Sequence, residues 1–269
     1  MARVIRVCLA GATGWIGRAL VPAILASSDL SLVGAVSRSH RGRRLGRVLG
    51  IPNTPLVISG SVEEALRERT DVLIDFTSPE VVKLNVLLAI SKGVHVVIGT
   101  SGLTETDYKE IDRKARRKRI GVIAAGNFAI SAVLMEHFSS VAAKFMPSWE
   151  VVDYANDGKP DAPSGTAREL VHFLSEVGSP ILRIPVDKTK GEKESRGLDM
   201  GGTQVHSVRL PGYVIGAEAI FGKTGERLTI RHDAGNEAAP YIDGILLAAR
   251  NVPKLVGLRR GLWSILNQE

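Results

Sequence analysis

Through the first half of the chain, short and wholly apolar runs alternate with longer stretches in which apolar residues recur at helical spacing. VIRVCLAG, SLVGAVS, DVLIDFT, HVVIGT and GVIAAGN read as strands. Ile16–Ala26, SVEEALRE, PEVVKLNVLLAISKG and TETDYKEIDRKARRKRI read as the helices between them. Strands that are apolar on both faces and separated by helices predict an α/β domain with a doubly wound parallel sheet, spanning residues 1–128.

Beyond Phe128 the pattern changes. A long helix (SAVLMEHFSSVAAKF), a strand (WEVVDYA) and a second helix (TARELVHFLSEV) precede three strand-like runs, TQVHSVRLP, YVIGAEAIFG and GERLTIRHDA. Turn residues separate these runs, which predicts a smaller α+β domain, residues 129–237, with a mixed or antiparallel sheet. The polar stretch Asp187–Gly197 reads as a mobile surface loop, and AAPYIDGILLAARNV near the end reads as a helix.

Composition adds exclusions. The 269 residues are 44% hydrophobic and 23% charged, ordinary globular usage, and no run approaches the ~18 apolar residues of a membrane span. The opening MARVIRVCLAGATG passes straight into a glycine turn without a small-residue cleavage site, so a first strand and a cytoplasmic location are expected. A lone cysteine, Cys8, excludes an internal disulfide framework and reads as a core residue. The formal charge is +7, with a cluster at Arg113, Lys114, Arg116, Arg117, Lys118 and Arg119. That cluster shares its helix with acids and has no interleaved aromatics, so a solvated helix face is expected and a nucleic-acid partner is not. The charge balance suits phosphorylated cofactors and polyacid substrates. No Cys or His spacing implies a metal.

Three glycines carry the first chemistry. Gly11, Gly14 and Gly17, with Thr13, Trp15 and Ile16 among them, form G-A-T-G-W-I-G between a strand and a helix start. Such glycines let the backbone approach a pyrophosphate at a helix N-terminus, which predicts a Rossmann-like dinucleotide site. The second strand ends in Ser37 and Arg38, with Arg41, Arg43 and Arg44 nearby, where an acid would bind the ribose of NADH. A cationic pocket without a carboxylate favours NADPH over NADH; the alternative is a basic surface loop. F-T-S-P (Phe76, Thr77) and G-T-S-G (Gly99, Thr100, Ser101) fall at later strand ends, where such sheets bind ligands.

In the second half, D-A-P-S-G-T-A places Ser164, Gly165 and Thr166 at a helix start, an arrangement of N–H groups and hydroxyls suited to a carboxylate. Lys159 precedes it. The glycine motif alone also resembles extended short-chain dehydrogenases, but Tyr154 is followed four residues later by Gly158 in place of their lysine.

Taken together, G-x-x-G-x-x-G, F-T-S-P, G-T-S-G, A-A-G-N-F (Ala124–Phe128), K-P-D-A-P-S-G-T-A, V-H-S-V-R-L and G-E-R-L-T-I-R-H-D resemble the dihydrodipicolinate reductase family along nearly the whole chain. The resemblance implies an NAD(P)H-dependent oxidoreductase of lysine and diaminopimelate biosynthesis that reduces 4-hydroxy-tetrahydrodipicolinate. It also implies a second domain serving substrate binding and oligomerisation, a homotetramer, and a C-terminal segment, 238–269, that packs back on the first domain. By the same resemblance Gly11, Gly14, Gly17 and Arg38 bind cofactor, with Phe76, Gly99, Thr100, Ala125, Asn127 and Phe128 lining its site. Ser164, Gly165 and Thr166 clasp a substrate carboxylate, and Lys159 is catalytic. One departure matters: most members carry two histidines ahead of that lysine, where this chain has Ala155 and Asn156. Alanine transfers no proton; asparagine still contacts a carboxylate. Three alternatives follow: Lys159 acts alone or with Asp157, Asp161 or water; the substrate is a different imine or imino acid; or the chain is a non-catalytic NADPH-binding regulator. The bland alternative for Lys159 is an ion pair with Asp157 or Asp161. His206 and His232 read as structural histidines, and His137 and His172 have weaker claims as proton donors.

Overall fold

In β1 (Ile5–Ala10), Val7, Cys8, Leu9 and Ala10 are all fully buried, as a strand covered from both sides requires. The protein, seen in a computed structural model, is described at residues 4–52, 54–235 and 237–266. After β1 come α1 (Trp15–Ala26), β2 (Leu30–Val36), the short α2 (Leu45–Leu49) and α3 (Val62–Ala65), β3 (Val72–Asp75), α4 (Pro79–Ser91), β4 (His95–Ile98), α5 (Glu105–Lys118) and β5 (Gly121–Ala124). Next are α6 (Ile130–Ala143), β6 (Ser148–Ala155), α7 (Gly165–Val177), β7 (Leu198–Met200), β8 (Thr203–Arg209), β9 (Ile215–Lys223) and β10 (Glu226–Ala234). The chain closes with α8 (Ala239–Asn251), β11 (Gly257–Arg260) and α9 (Trp263–Leu266). Two compact units result, Met1–Phe128 with Ala238–Glu269, and Ala129–Glu237.

The first unit holds a six-stranded sheet in the order β2-β1-β3-β4-β5-β11, parallel throughout. Because β2 lies on one side of β1 and β3 on the other, a crevice opens at the carboxyl end of β1. A single parallel bridge, Val36 to Ser59, extends the sheet beyond β2. The strand β11 escaped the sequence reading: GLRR is short and basic, and only pairing with β5 makes it a strand. Its Arg260 bonds Glu105 at 2.6 Å and lies over the Tyr108 ring. The helix expected over SVEEALRE is confined to Val62–Ala65.

Close approach fixes α8 in this unit: a Cβ on Gly244 would overlap the Phe128 carbonyl. Arg250 of α8 grips Asp29 through two hydrogen bonds, 2.8 and 3.0 Å. A capping box between Thr104 and Asp107 starts α5, and its last turn carries Arg116, Arg117 and Lys118, which complement the helix dipole. Acids of the same helix answer two of its cations: Lys114 pairs with Glu110 and Arg116 with Asp112, both at 2.8 Å. Cys8 is buried, and burial first, then Asp75, pushes its thiol up to about 12, so it stays an inert core thiol.

In the second unit the five-stranded sheet runs β10-β9-β6-β8-β7 and is mixed, since β6 pairs parallel with β8 and antiparallel with β9. Along β6, Trp149, Val151, Asp153 and Ala155 are buried on one face while Ser148, Glu150, Val152 and Tyr154 are half-buried on the other. The buried face packs with Met135 of α6 and Ala167, Leu170 and Leu174 of α7. The segment Asp187–Gly197 lies on the surface as expected but is not structureless: it contains turns at Val186–Lys188 and Lys193–Arg196, and Arg196 bonds Glu150 at 2.8 Å.

Two carboxyls lie on the helices over this core. Glu136 of α6 is 3% exposed and Glu169 of α7 is 5% exposed. Burial, and then the nearby Glu169, hold the Glu136 carboxyl well above the usual carboxylate range. A carboxyl raised in the folded state favours folding while protonated; its contribution is complete below the unfolded value of about 4.3 and is lost as pH rises through the folded value. Wild-type stability is therefore expected to fall toward alkaline pH with a slope of up to about 1.4 kcal/mol per pH unit, and Glu136→Gln to flatten that slope. Urea melts of both proteins between about pH 5 and about pH 9 test this; parallel pH profiles would refute it.

Candidate active site

The turn between β1 and α1 shows what the glycine motif requires. Gly11 has φ +86°, and a Cβ there would overlap the Phe76 carbonyl; a Cβ on Gly17 would overlap the carbonyls of Gly11 and Ala12. Only glycine permits this packing of loop against strand and helix. The helix that follows has Gly14 at its N-cap with no side-chain cap and no acid in its first turn, which leaves donors and the positive end of the dipole for an anion. Thr13 closes the loop through its hydroxyl, 2.7 Å from Ser37 Oγ. Trp15 is half exposed and meets the edge of Tyr241 at 5.6 Å, while Ile16 is partly buried.

Beside this turn is a cleft of about 390 Å³. Gly11, Ser37, Arg38, Ser39, Gly60, Ser61, Phe76, Thr77 and Asn85 are among its lining residues. No carboxylate lines it among the described residues. Ser37 directly follows β2, Arg38 is exposed, and Ser39 Oγ sits 2.9 Å from His40 Nδ1. Arg41 is drawn to Glu64 at 3.4 Å, while Arg43 and Arg44 lie exposed on the same loop. Phe76 presses on Gly99 and lies 5.7 Å from Phe128, which is buried together with Ala125 and Asn127. Ser101 is exposed.

A hub that sequence reasoning missed organises these strand ends. Asp75, fully buried at the end of β3, accepts hydrogen bonds from Thr77 Oγ1 (2.6 Å), Thr100 Oγ1 (2.7 Å) and Asn85 Nδ2 (2.8 Å). The hydroxyls of Thr77 and Thr100 both donate to a carboxylate within the protein, and of the two only Thr77 is among the cleft's lining residues. An acid closing an otherwise apolar strand was the available signal.

In the second unit, Ser164 caps α7 by accepting from Ala167 N–H at 3.2 Å, and Gly165 and Thr166 form the helix's first turn. Ser164 and Thr166 are buried. The peptide Ala162–Pro163 is cis. Ahead of the turn, Lys159 Nζ lies 2.7 Å from Asp161 Oδ1, so the ion pair posed as the bland alternative is present. Ala155 is fully buried, and Asn156 Oδ1 accepts from Gly158 N–H at 2.9 Å, closing a local turn. No proton donor stands at either place. His232 is buried, with Nδ1 3.0 Å from Ser131 Oγ, and burial lowers its pKa, which holds it neutral. His206 pairs with Glu150 at 2.9 Å, and His172 lies 3.6 Å from Glu176. Among the described residues no group of three or more His, Cys, Asp or Glu is placed to hold a metal ion, and no helix is long and apolar enough to cross a membrane.

A doubly wound parallel sheet with a glycine turn at its switch point, joined to a mixed-sheet unit whose helix α7 starts at a Ser-Gly-Thr cap, defines a two-domain dinucleotide-dependent oxidoreductase. The N-terminal model of dihydrodipicolinate reductase matches residues 5–128 and the C-terminal model residues 131–265. The chain belongs to the dihydrodipicolinate reductase family. It is 42% identical to the 4-hydroxy-tetrahydrodipicolinate reductase of Desulfitobacterium hafniense over 97% of this chain and 98% of that protein. The corresponding enzyme of Halalkalibacterium halodurans is 38% identical over 97% and 99%. Among solved structures, dipicolinate-bound dihydrodipicolinate reductase from Paenisporosarcina sp. TG-14 superposes with TM-score 0.76 and 30% identity, covering 96% of this chain and 98% of that one. An amine dehydrogenase from Mycobacterium smegmatis, 13% identical with TM-score 0.65 over 97% and 95%, shares the fold.

Proposed function

We propose that this chain uses NADPH, and less readily NADH, to reduce the cyclic imine formed when 4-hydroxy-tetrahydrodipicolinate loses water, giving tetrahydrodipicolinate for lysine and diaminopimelate synthesis. The observation that carries this is the substrate turn: Ser164–Thr166 at the start of α7, with Lys159 in the same loop, in a chain that matches the family along its length. The ring substrate carries two carboxylates. The first-turn N–H groups and hydroxyls of α7 suit one of them, and the Lys159 ammonium supplies the cation. Gly11, Gly14, Gly17 and Arg38 would hold the dinucleotide, which would supply the hydride when bound, and Lys159 would supply the proton that completes the reduction. Arg38, with no carboxylate lining the cleft, supports NADPH. A homotetramer is supported by the face of the mixed sheet opposite α6 and α7, where Val152, Tyr154 and Ile220 are only half-buried.

One observation favours a second substrate within the same chemistry. Ala155 and Asn156 replace the histidines expected from the family and change pocket wall and proton source together. Supplying the purified chain with dihydrodipicolinate made in situ by the condensing synthase, and following NADPH absorbance, decides between them. Rapid oxidation is expected; silence here with oxidation on other cyclic imino acids would transfer the assignment to those. In the same assay Arg38→Asp is expected to raise the KM for NADPH by about tenfold or more and leave that for NADH little changed, through loss of one charge-assisted contact to the 2′-phosphate. An equal effect on both cofactors would remove Arg38 from that role.

A further inference from the structure

Beneath the substrate turn lies a partly buried ion pair that the proposed chemistry does not use. Asp153 of β6 is fully buried, and its Oδ2 receives three donors: Ser164 N–H at 2.8 Å, Arg209 Nη2 at 2.7 Å and Ser207 Oγ at 3.3 Å. Its Oδ1 has no hydrogen-bond partner among the described residues. A buried carboxylate this thinly solvated depends on the guanidinium beside it. That guanidinium is in turn shared. Arg209 Nη2 also bonds the Asp161 carbonyl at 2.8 Å, and Nη1 reaches the carbonyls of Val208 (2.9 Å) and Asp153 (3.4 Å).

The two ends of the turn are therefore held by one pair. Asp153 fixes Ser164, the cap of α7, and Arg209 fixes the backbone of Asp161, whose carboxylate holds Lys159. We infer that Asp153 and Arg209 form a positioning pair that sets the carboxylate-binding turn and the Lys159–Asp161 couple in register with each other; this rests on the assignment of Ser164–Thr166 to a substrate carboxylate. A planar guanidinium can bridge a carboxylate and a carbonyl in fixed directions, which an ammonium cannot. Neither residue touches the reacting atoms. They act by geometry, and displacement of a reacting group by about 1 Å is enough to cost about a hundredfold in rate.

The test uses Asp153→Asn, Arg209→Lys and Arg209→Met in the full chain, each with four readouts: kcat and KM in the NADPH assay, the Kd of dipicolinate by calorimetry, the Kd of NADPH, and the melting temperature. Arg209→Met is expected to lower kcat by about a hundredfold and weaken dipicolinate by about tenfold, with NADPH affinity unchanged. Arg209→Lys should recover the melting temperature but not kcat, because the charge returns and the bridge does not. Wild-type kcat and dipicolinate affinity in both Arg209→Met and Asp153→Asn would overturn the inference, and so would recovery of kcat in step with the melting temperature in Arg209→Lys. A wild type that binds dipicolinate, with binding weakened in the variants, yet turns nothing over would strike the proposed reaction and sustain the positioning pair. A wild type that binds no dicarboxylate would overturn both.

Discussion

Lys159→Ala is expected to lower kcat by roughly two to four orders of magnitude while leaving the affinity for NADPH unchanged, the range typical of losing a general acid. Comparison with Ala155, Asn156, His206 and His232 leads there. Ala155 has no proton to give, and the Asn156 oxygen is taken by Gly158 N–H. His232 is buried beside Ser131 and held neutral, and His206 is engaged by Glu150. Lys159 is the cation carried by the loop ahead of α7, and its partner Asp161 is nearly half exposed. Lys159→Arg separates the two duties proposed for it. Arginine keeps the charge but does not release a proton, so substrate KM should stay near wild type while kcat falls. Wild-type turnover in Lys159→Ala would take the residue out of the mechanism.

Gly11→Ala is expected to abolish measurable NADPH binding and to lower the melting temperature sharply. The left-handed conformation, φ +86°, costs an alanine about 1–2 kcal/mol on its own. The larger cost is steric: the new methyl would meet the backbone carbonyl of Phe76, whose peptide plane is held on its other side by Thr77 N–H, bonded to Thr100 Oγ1 at 2.8 Å and Asp75 Oδ1 at 3.1 Å. Either the turn shifts away from β3 or β3 leaves its register with β1. Gly93→Ala supplies the control, since Gly93 has φ +77° and open space around it. It should show the conformational cost alone, with NADPH binding intact. Fluorescence titration of NADPH and thermal melts on the three proteins test the pair; binding retained in Gly11→Ala would mean that the turn is not the cofactor's cradle.

Much of this architecture is legible along the chain, for reasons that differ by element. β1, β3, β4 and β5 are buried on both faces, so their apolar runs mark them without tertiary information. The capped start of α7 is equally plain, because Ser-Gly-Thr satisfies local backbone donors whatever surrounds it. β7 and β11 are not legible: Leu-Asp-Met and Gly-Leu-Arg-Arg carry no strand pattern and become strands by pairing with β8 and β5. Thr77 and Thr100 show a subtler shortfall. Hydroxyls at strand ends read as ligand contacts, but Asp75 collects both, across 25 residues in the case of Thr100.

By itself the sequence determined whatever depends on backbone needs within a few residues: where glycine is obligatory, where a helix must be capped, which runs belong inside a sheet. These follow from sterics and periodicity, which neighbours in the chain satisfy. Only the tertiary structure decided which charged and polar side chains meet. Asp153 finds Arg209 across 56 residues, Asp75 takes the threonine hydroxyls, and Lys159 settles on Asp161 and not Asp157. An ion pair buried by folding is chosen by the distance, direction and desolvation the fold imposes, and none of these is written in the order of residues.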